Sequence, residues 1–201
     1  MIQEFTEFAT DAILKIGNEE LLQNYDSSKA ASLFTLIRTQ ETQAIIQVDD
    51  QTITIQKNTL IVLTPNQYMS FIEGNDLVVY QFNREFYCIK DHDKEVSCMG
   101  LLFYGNNTIP ILTLDQENIQ KLDNLHDIFV EELATVDTIQ AEMLRMLTAR
   151  LIITATRLMK QQTDFVDVHD EQIDLLRNFN ALVESHFRNC LLYTSPSPRD
   201  A

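Results

Sequence analysis

The 201-residue chain has no tryptophan, four glycines, four prolines and three cysteines, and 15 lysines and arginines against 30 aspartates and glutamates. Each shortage excludes something. So little glycine and proline argues against a disordered or loop-dominated chain. A net charge of −15 argues against a nucleic-acid surface, because phosphate backbones are held by basic stripes. The cysteines, Cys88, Cys98 and Cys190, are odd in number and lack a C-x-x-C spacing. That suggests neither a disulfide framework nor a zinc site, and buried thiols in a reducing cytoplasm account for them. No apolar run approaches the ~20 residues of a membrane helix. Glu4, Glu7 and Asp11 stand where a signal peptide would be basic and then apolar. The expectation is a soluble cytoplasmic chain with one core and a helical appendage.

What is present is a change of period along the chain. Residues 1–31 give mixed signals, with a polar, loop-like stretch at Asn24–Lys29. From Ser32 onward, short segments rich in β-branched and aromatic residues alternate with turn formers. The predicted strands are Ser32–Arg38, Thr42–Val48, Gln51–Ile55, Thr59–Leu63, Tyr68–Ile72, Leu77–Phe82 and Ile109–Leu114. Between them stand Asp49-Asp50, Lys57-Asn58, Pro65-Asn66 and Gly74-Asn75. Strands this short and evenly spaced indicate an antiparallel sandwich or barrel.

At Asp115 the period becomes helical. Ile119, Leu122, Leu125, Phe129 and Leu133 outline one helix face. A second helix is expected after Asp137, with Gln140 at a capping-box spacing and Ile139, Met143, Leu147, Leu151 and Leu158 as its apolar positions. Gln161–Asp167 reads as a linker, and Ile173, Leu176, Phe179, Val183 and Phe187 outline a third face. Such amphipathic helices must bury their stripes, either on the barrel or against a second copy. The candidate dimer-interface residues are Leu122, Leu125, Phe129, Met143, Leu147 and Leu151. The run Cys190–Ala201, with Pro196 and Pro198 closing off any helix, resembles one translated frame of a transposase adapter used in sequencing libraries. The biological sequence is therefore expected to stop near Asn189.

Composition and pattern alone stop at an acidic β-barrel domain with a helical tail. The local wording goes further. Leu63-Thr64-Pro65-Asn66-Gln67 lies between two strands where AraC-type sensor domains often read TPGQ. Residues Phe82-Asn83-Arg84-Glu85-Phe86-Tyr87-Cys88-Ile89, continuing to Asp93–Cys98, resemble a Bacteroidetes-type subgroup of that family. Leu176–Phe187 resembles the helix that opens the family's C-terminal helix-turn-helix domain. The resemblance implies an α+β chain: a cupin-like (jelly-roll) antiparallel β-barrel over 1–114, a helical dimerisation segment over 115–162, then a linker and the first DNA-binding-domain helix over 163–189. It also implies a homodimer that regulates transcription, reaches DNA only through a domain beyond this chain, and responds to a small-molecule effector. No residue here is assigned to base contacts, since the recognition helices would follow.

Within a small barrel one parity of each strand points inward. For the strand at 32–38 this is either Phe34, Leu36 and Arg38 or Leu33, Thr35 and Ile37, while Val78, Tyr80 and Phe82 share a face of the strand at 77–82. A pocket lined by Phe34, Leu36, Tyr80 and Phe82, with Arg38 near its mouth, would suit a small apolar or anionic effector. The plain alternative is that these side chains fill a ligand-free barrel.

A cupin barrel can also be a metalloenzyme, which needs about three histidines and a carboxylate converging inside it. His92, His126, His169 and His186 all lie outside the predicted strands, and Gln67-Tyr68-Met69-Ser70 stands where an H-x-H pair would be. No G-x-S-x-G elbow, glycine-rich phosphate loop or H-E-x-x-H motif occurs. Asp91-His92-Asp93 reads as an exposed turn and Glu131-Glu132 as a solvated helix face. No metal, cofactor or catalytic residue is expected. A stand-alone small-molecule-binding cupin, and less so a metal-dependent cupin enzyme, remain as alternatives.

Overall fold

Short β-branched segments separated by residues that tolerate left-handed backbone set the architecture. The computed structural model describes residues 2–23, 33–65, 67–88, 102–103 and 108–162. Its strands are β1 (Gln3–Glu7), β2 (Ala12–Gly17), β3 (Leu33–Thr39), β4 (Ala44–Val48), β5 (Gln51–Ile55), β6 (Thr59–Leu63), β7 (Met69–Gly74), β8 (Leu77–Asn83) and β9 (Ile111–Thr113). A single turn, α1 (Glu20–Gln23), follows β2, and two long helices, α2 (Gln116–Ala134) and α3 (Gln140–Gln162), close the described chain. Asp11, Asp49, Asn58 and Asp76 sit at φ 56°, 52°, 53° and 57° in the turns β1–β2, β4–β5, β5–β6 and β7–β8. Asp and Asn are the residues besides glycine that visit this region most cheaply. That is how a chain with four glycines makes so many tight turns.

All pairings are antiparallel, in a six-stranded sheet ordered β1-β2-β8-β3-β6-β9 and a three-stranded sheet ordered β5-β4-β7. The α+β class and antiparallel architecture match expectation. The closure does not, because no ladder joins the two sheets among the described residues, leaving an open sandwich rather than a closed barrel. A further difference lies near the N-terminus, where residues 2–23, part of the stretch with mixed signals, form the β1–β2 hairpin and α1. Asn83 fastens that hairpin to β8. Its Oδ1 accepts from the Ile13 N–H (2.8 Å) and the Phe86 N–H (3.0 Å), and its Nδ2 donates to the Asp11 carbonyl (2.6 Å).

The central strands β3, β6 and β8 of the six-stranded sheet are buried on both faces. Its inner face, Ile37, Ile61, Leu63, Leu77 and Val79, packs on Ala44, Ile46, Val48, Ile55 and Met69 of the smaller sheet, with Leu21 and Leu22 of α1 in the same core. The outer face is covered by the helix pair. Arg145 of α3 donates from Nε to the Phe86 carbonyl (3.2 Å), pairs with Glu7 of β1 (3.1 Å) and lies over the Phe86 ring (5.7 Å). At the far end of α3, Gln162 continues the edge of β9. It donates to the Thr113 carbonyl (2.6 Å) and accepts from the Thr113 N–H (2.9 Å).

The helix ends are fixed locally. Asp115 caps α2 by accepting from the Asn118 N–H at 2.8 Å. Asp137 accepts from the Ile139 N–H (2.9 Å), but Gln140 does not complete a capping box; its Nε2 donates to the Glu132 carbonyl at the end of α2 (2.9 Å). The buried stripe of α3 runs through Leu144, Thr148, Leu151, Ile152, Ala155 and Met159. Ile139 and Met143, expected on that stripe, are 69% and 44% exposed. Gln161 and Gln162 belong to α3 rather than to a linker. The described residues all belong to one compact unit. The expected third helix, the polar stretch at Asn24–Lys29, the Asp91-His92-Asp93 turn and the run from Cys190 lie outside the described residues.

Candidate functional site

The five pocket candidates come together on neighbouring strands. In the β3–β8 ladder Phe34 faces Phe82, Leu36 faces Tyr80, and Arg38 faces Val78. All five are buried, none above 3% exposure. They do not line the interior of the sandwich. Successive strand residues point to opposite faces, and Ile37, Val79 and their neighbours occupy the core between the sheets. Phe34, Leu36, Arg38, Tyr80 and Phe82 therefore face outward, beneath the helices. The inner parity of β3 is Thr35 and Ile37, and Gln81 of β8 donates to Thr35 Oγ1 at 3.5 Å on that side. Burial of both faces of β3 and β8 removes the hydrophobic alternation that would have distinguished the parities.

At one end of this layer the contacts are aromatic. Phe34 stacks on Phe82 with centroids 5.3 Å apart, Phe103 meets Phe34 edge-on at 4.9 Å, and Tyr87 meets Phe82 edge-on at 6.2 Å. At the other end they are polar and link sheet to helix. Arg38 Nη2 lies 2.8 Å from the Asp123 carboxylate of α2. The Tyr80 hydroxyl lies 3.1 Å from Nδ1 of His126, and the Tyr80 ring packs against His126 and Phe129 of the same helix. His126 and Asp127 stand three and four residues beyond Asp123, the spacing that puts each of them beside it on α2.

The charges here are unevenly satisfied. The Arg38 side chain is 4% exposed and that of Asp123 51%. Asp123 takes one guanidinium nitrogen, while Nε and Nη1 of Arg38 are buried without a hydrogen-bond partner. Buried polar groups are normally paired, and a buried cation with idle donors is an acceptor site for an anion or for water. Burial pushes the Tyr80 phenol well above its ordinary value, with the Arg38 charge opposing. Burial likewise holds His126 below its ordinary value, with Asp127 opposing and Arg38 reinforcing. The pair therefore sits near neutral pH as a neutral phenol against a neutral imidazole. At the sheet edge the Thr10 hydroxyl, donating at 2.6 Å, is the main influence that lowers Glu7, with Arg145 adding to it.

The candidate dimer residues are differently placed. Leu122, Leu125, Phe129, Leu147 and Leu151 are buried within this one chain. They are not a free surface; of the two covers the sequence left open, the barrel or a second copy, this chain itself supplies the one these five residues have. Met143 alone of the six is open to solvent, near Val136 (93% exposed) and Ile139 at the α2–α3 connection. Between β6 and β7 the Gln67 N–H donates to the Thr64 carbonyl (3.2 Å) and Gln67 Oε1 accepts from the Thr64 N–H (2.8 Å). Among the described residues no cluster of three His, Cys, Asp or Glu could hold a metal, His126 is the one histidine, and Cys88 is a half-buried free thiol. No described helix is long and apolar enough to cross a membrane.

Sequence reasoning missed Asp123, His126 and Phe129 as the partners of Arg38 and Tyr80. The available signal was the pair of polar groups, Asp123 and His126, flanking the Leu122/Leu125 stripe on a helix that otherwise had an apolar face to bury.

No protein-family model matches the chain. No curated protein matches it either. Among solved structures, it is similar to the AraC-like transcriptional activator CuxR, with 9% identity and a TM-score of 0.41 over 87% of this chain and 58% of that one. It is similar also to ToxT from Vibrio cholerae, with 14% identity and a TM-score of 0.36 over 92% of this chain and 64% of that one. ToxT of Vibrio cholerae O395 bound to (E)-4-(8-methylnaphthalen-1-yl)but-3-enoic acid matches at 13% identity and a TM-score of 0.35. The chain thus spans about three-fifths of the length of these structures.

Proposed function

We propose that this chain is the sensing and dimerisation region of an AraC-type transcription regulator, acting on DNA through a helix-turn-helix domain outside the residues described. The wording at Leu63–Gln67, Phe82–Cys98 and Leu176–Phe187 supports the family. The observation that carries the sensing role is the linkage of sheet to helix through a buried, under-satisfied cation. Arg38 of β3 holds Asp123 of α2 with one nitrogen and keeps two donors idle. A small organic anion that took up those donors would compete with Asp123, and the apolar neighbours Phe34, Leu36, Tyr80 and Phe82 would receive its hydrocarbon part. Loosening the Arg38–Asp123 bridge would free α2 to shift on the sheet. In a homodimer joined near the α2–α3 connection, that shift would alter the spacing of the two DNA-reading domains. Such an effector acts by binding one arrangement better than the other. On this reading the chain is not an enzyme, needs no cofactor and works in the cytoplasm.

The dimer is tested by sedimentation equilibrium. The chain is expected at about twice its 23.2 kDa mass. An Ile139→Glu/Met143→Glu variant, altering two exposed side chains, is expected at the single-chain mass with unchanged secondary structure. A wild-type chain that is monomeric at every concentration tried would remove the dimer from the proposal.

A further inference from the structure

A second surface lies along the helix pair. Between α2 and α3 runs a groove of about 530 Å³, whose apolar side chains are Leu125, Met146, Ala149, Ile153 and Leu158. Its charged lining among the described residues is Lys121, Arg150 and Arg157, with no carboxylate among them. In a chain with 30 acidic residues and half as many basic ones, this is a local reversal of sign. Lys121 is partly engaged by Glu117 at 2.6 Å. Arg150 and Arg157 form no ion pair with any described residue.

Among the described residues nothing requires these two arginines: both are exposed on α3, beside exposed Met146 and half-buried Ile153, and neither is paired there. From Met146 to Gln161 the groove follows α3 for about 22 Å, the length of a four-turn helix. Arg150 and Arg157 are seven residues apart, so they stand on one side of α3 at a separation of about 10 Å. Apolar positions at helical spacing between flanking cations are the complement of an amphipathic helix whose polar margin is acidic.

We infer that the α2–α3 groove docks an acidic amphipathic helix of another protein, with its apolar face on Met146, Ala149 and Ile153 and its carboxylates on Arg150 and Arg157. The inference is independent of the effector and dimer readings above. A partner of this kind is recognised mainly through charge at its margins, so binding is fast and salt-sensitive, and the apolar floor sets how long it stays.

The test uses the full 201-residue chain and a fluorescein-labelled helical peptide of about four turns, with leucines at every third or fourth position and glutamates along both margins. Fluorescence anisotropy is expected to show saturable binding that weakens with added salt. An Arg150→Glu/Arg157→Glu variant is expected to bind at least tenfold more weakly, with unchanged circular dichroism and melting temperature because both side chains are exposed. The same peptide with lysine in place of glutamate is expected not to bind wild type. Absence of saturable binding, or equal binding by wild type and the double variant, overturns the inference. Sedimentation of the double variant supplies the other arm. An unchanged mass agrees with a groove that serves a different protein, and a fall from dimer to monomer assigns it to a second copy and overturns the partner reading.

Discussion

Replacing Asp123 and replacing Arg38 should have opposite effects on stability, although they remove the two ends of one ion pair. Breaking a buried pair from one side costs about 3–5 kcal/mol when the remaining charge is sealed from water. Here the Asp123 side chain is 51% exposed, so water can reach the vacated position. Asp123→Ala is therefore expected to cost less, about 2 kcal/mol. In a domain of this size that lowers the melting temperature by about 4–8 °C. Arg38→Met removes a buried cation and two donors that have no partner. Each idle buried donor carries a penalty of about 1–3 kcal/mol, whereas a bridge to a half-exposed carboxylate returns about 1 kcal/mol or less. Methionine keeps much of the arginine stem's volume and packing. Arg38→Met should accordingly be neutral or stabilising, by up to about 3 kcal/mol, and the double variant should follow it rather than Asp123→Ala. Urea titration followed by far-ultraviolet circular dichroism gives all three values. A loss of 2 kcal/mol or more for Arg38→Met would refute the reasoning, because it would mean the guanidinium is well satisfied without any ligand. A stabilised Arg38→Met is what a functional cation held at a cost to the fold should give.

Two further outcomes follow from the same layer and its edge. Asn83→Ala strands the Ile13 and Phe86 N–H groups and the Asp11 carbonyl, and should cost about 2–4 kcal/mol; hydrogen exchange should accelerate first across β1 and β2. His126 has its folded-state pKa depressed by burial, so the unfolded chain binds the proton more readily. Its contribution leaves stability unchanged above the unfolded value near 6.5 and makes it fall as pH drops below that value, until the folded imidazole also protonates. His126→Gln should flatten this part of the stability–pH curve, and an unaltered slope would show that the imidazole titrates freely in the folded chain.

Most of the sandwich could be read from local chemistry. β3 to β9 were visible because β-branched runs were bounded by Asp, Asn and Pro turns, and Gln51–Ile55 alternates with one wet face. The β1–β2 hairpin was not visible. β1 offers a single large apolar side chain, Phe5, among acidic and polar residues, and its turn is made by Asp11 in a left-handed conformation rather than by a glycine signal. The site was half legible. The grouping of Phe34, Leu36, Arg38, Tyr80 and Phe82 followed from strand parity alone, but the face they occupy did not, since every residue of β3 and β8 is buried. Only the covering helix distinguishes the two faces, and its register on the sheet is a tertiary fact. The same cause displaced the dimer surface. An apolar helical stripe states that something must cover it, and here the chain itself supplies the cover.

The regulator reading is tested most directly by the source gene itself, sequenced from genomic DNA through the codon for Asn189 and beyond. The account predicts an open frame that continues into two helix-turn-helix units carrying a basic surface, the complement of the acidic region described. A stop codon within a few residues, or a continuation without those units, would contradict it and leave the sandwich and its helices as a binding domain in their own right.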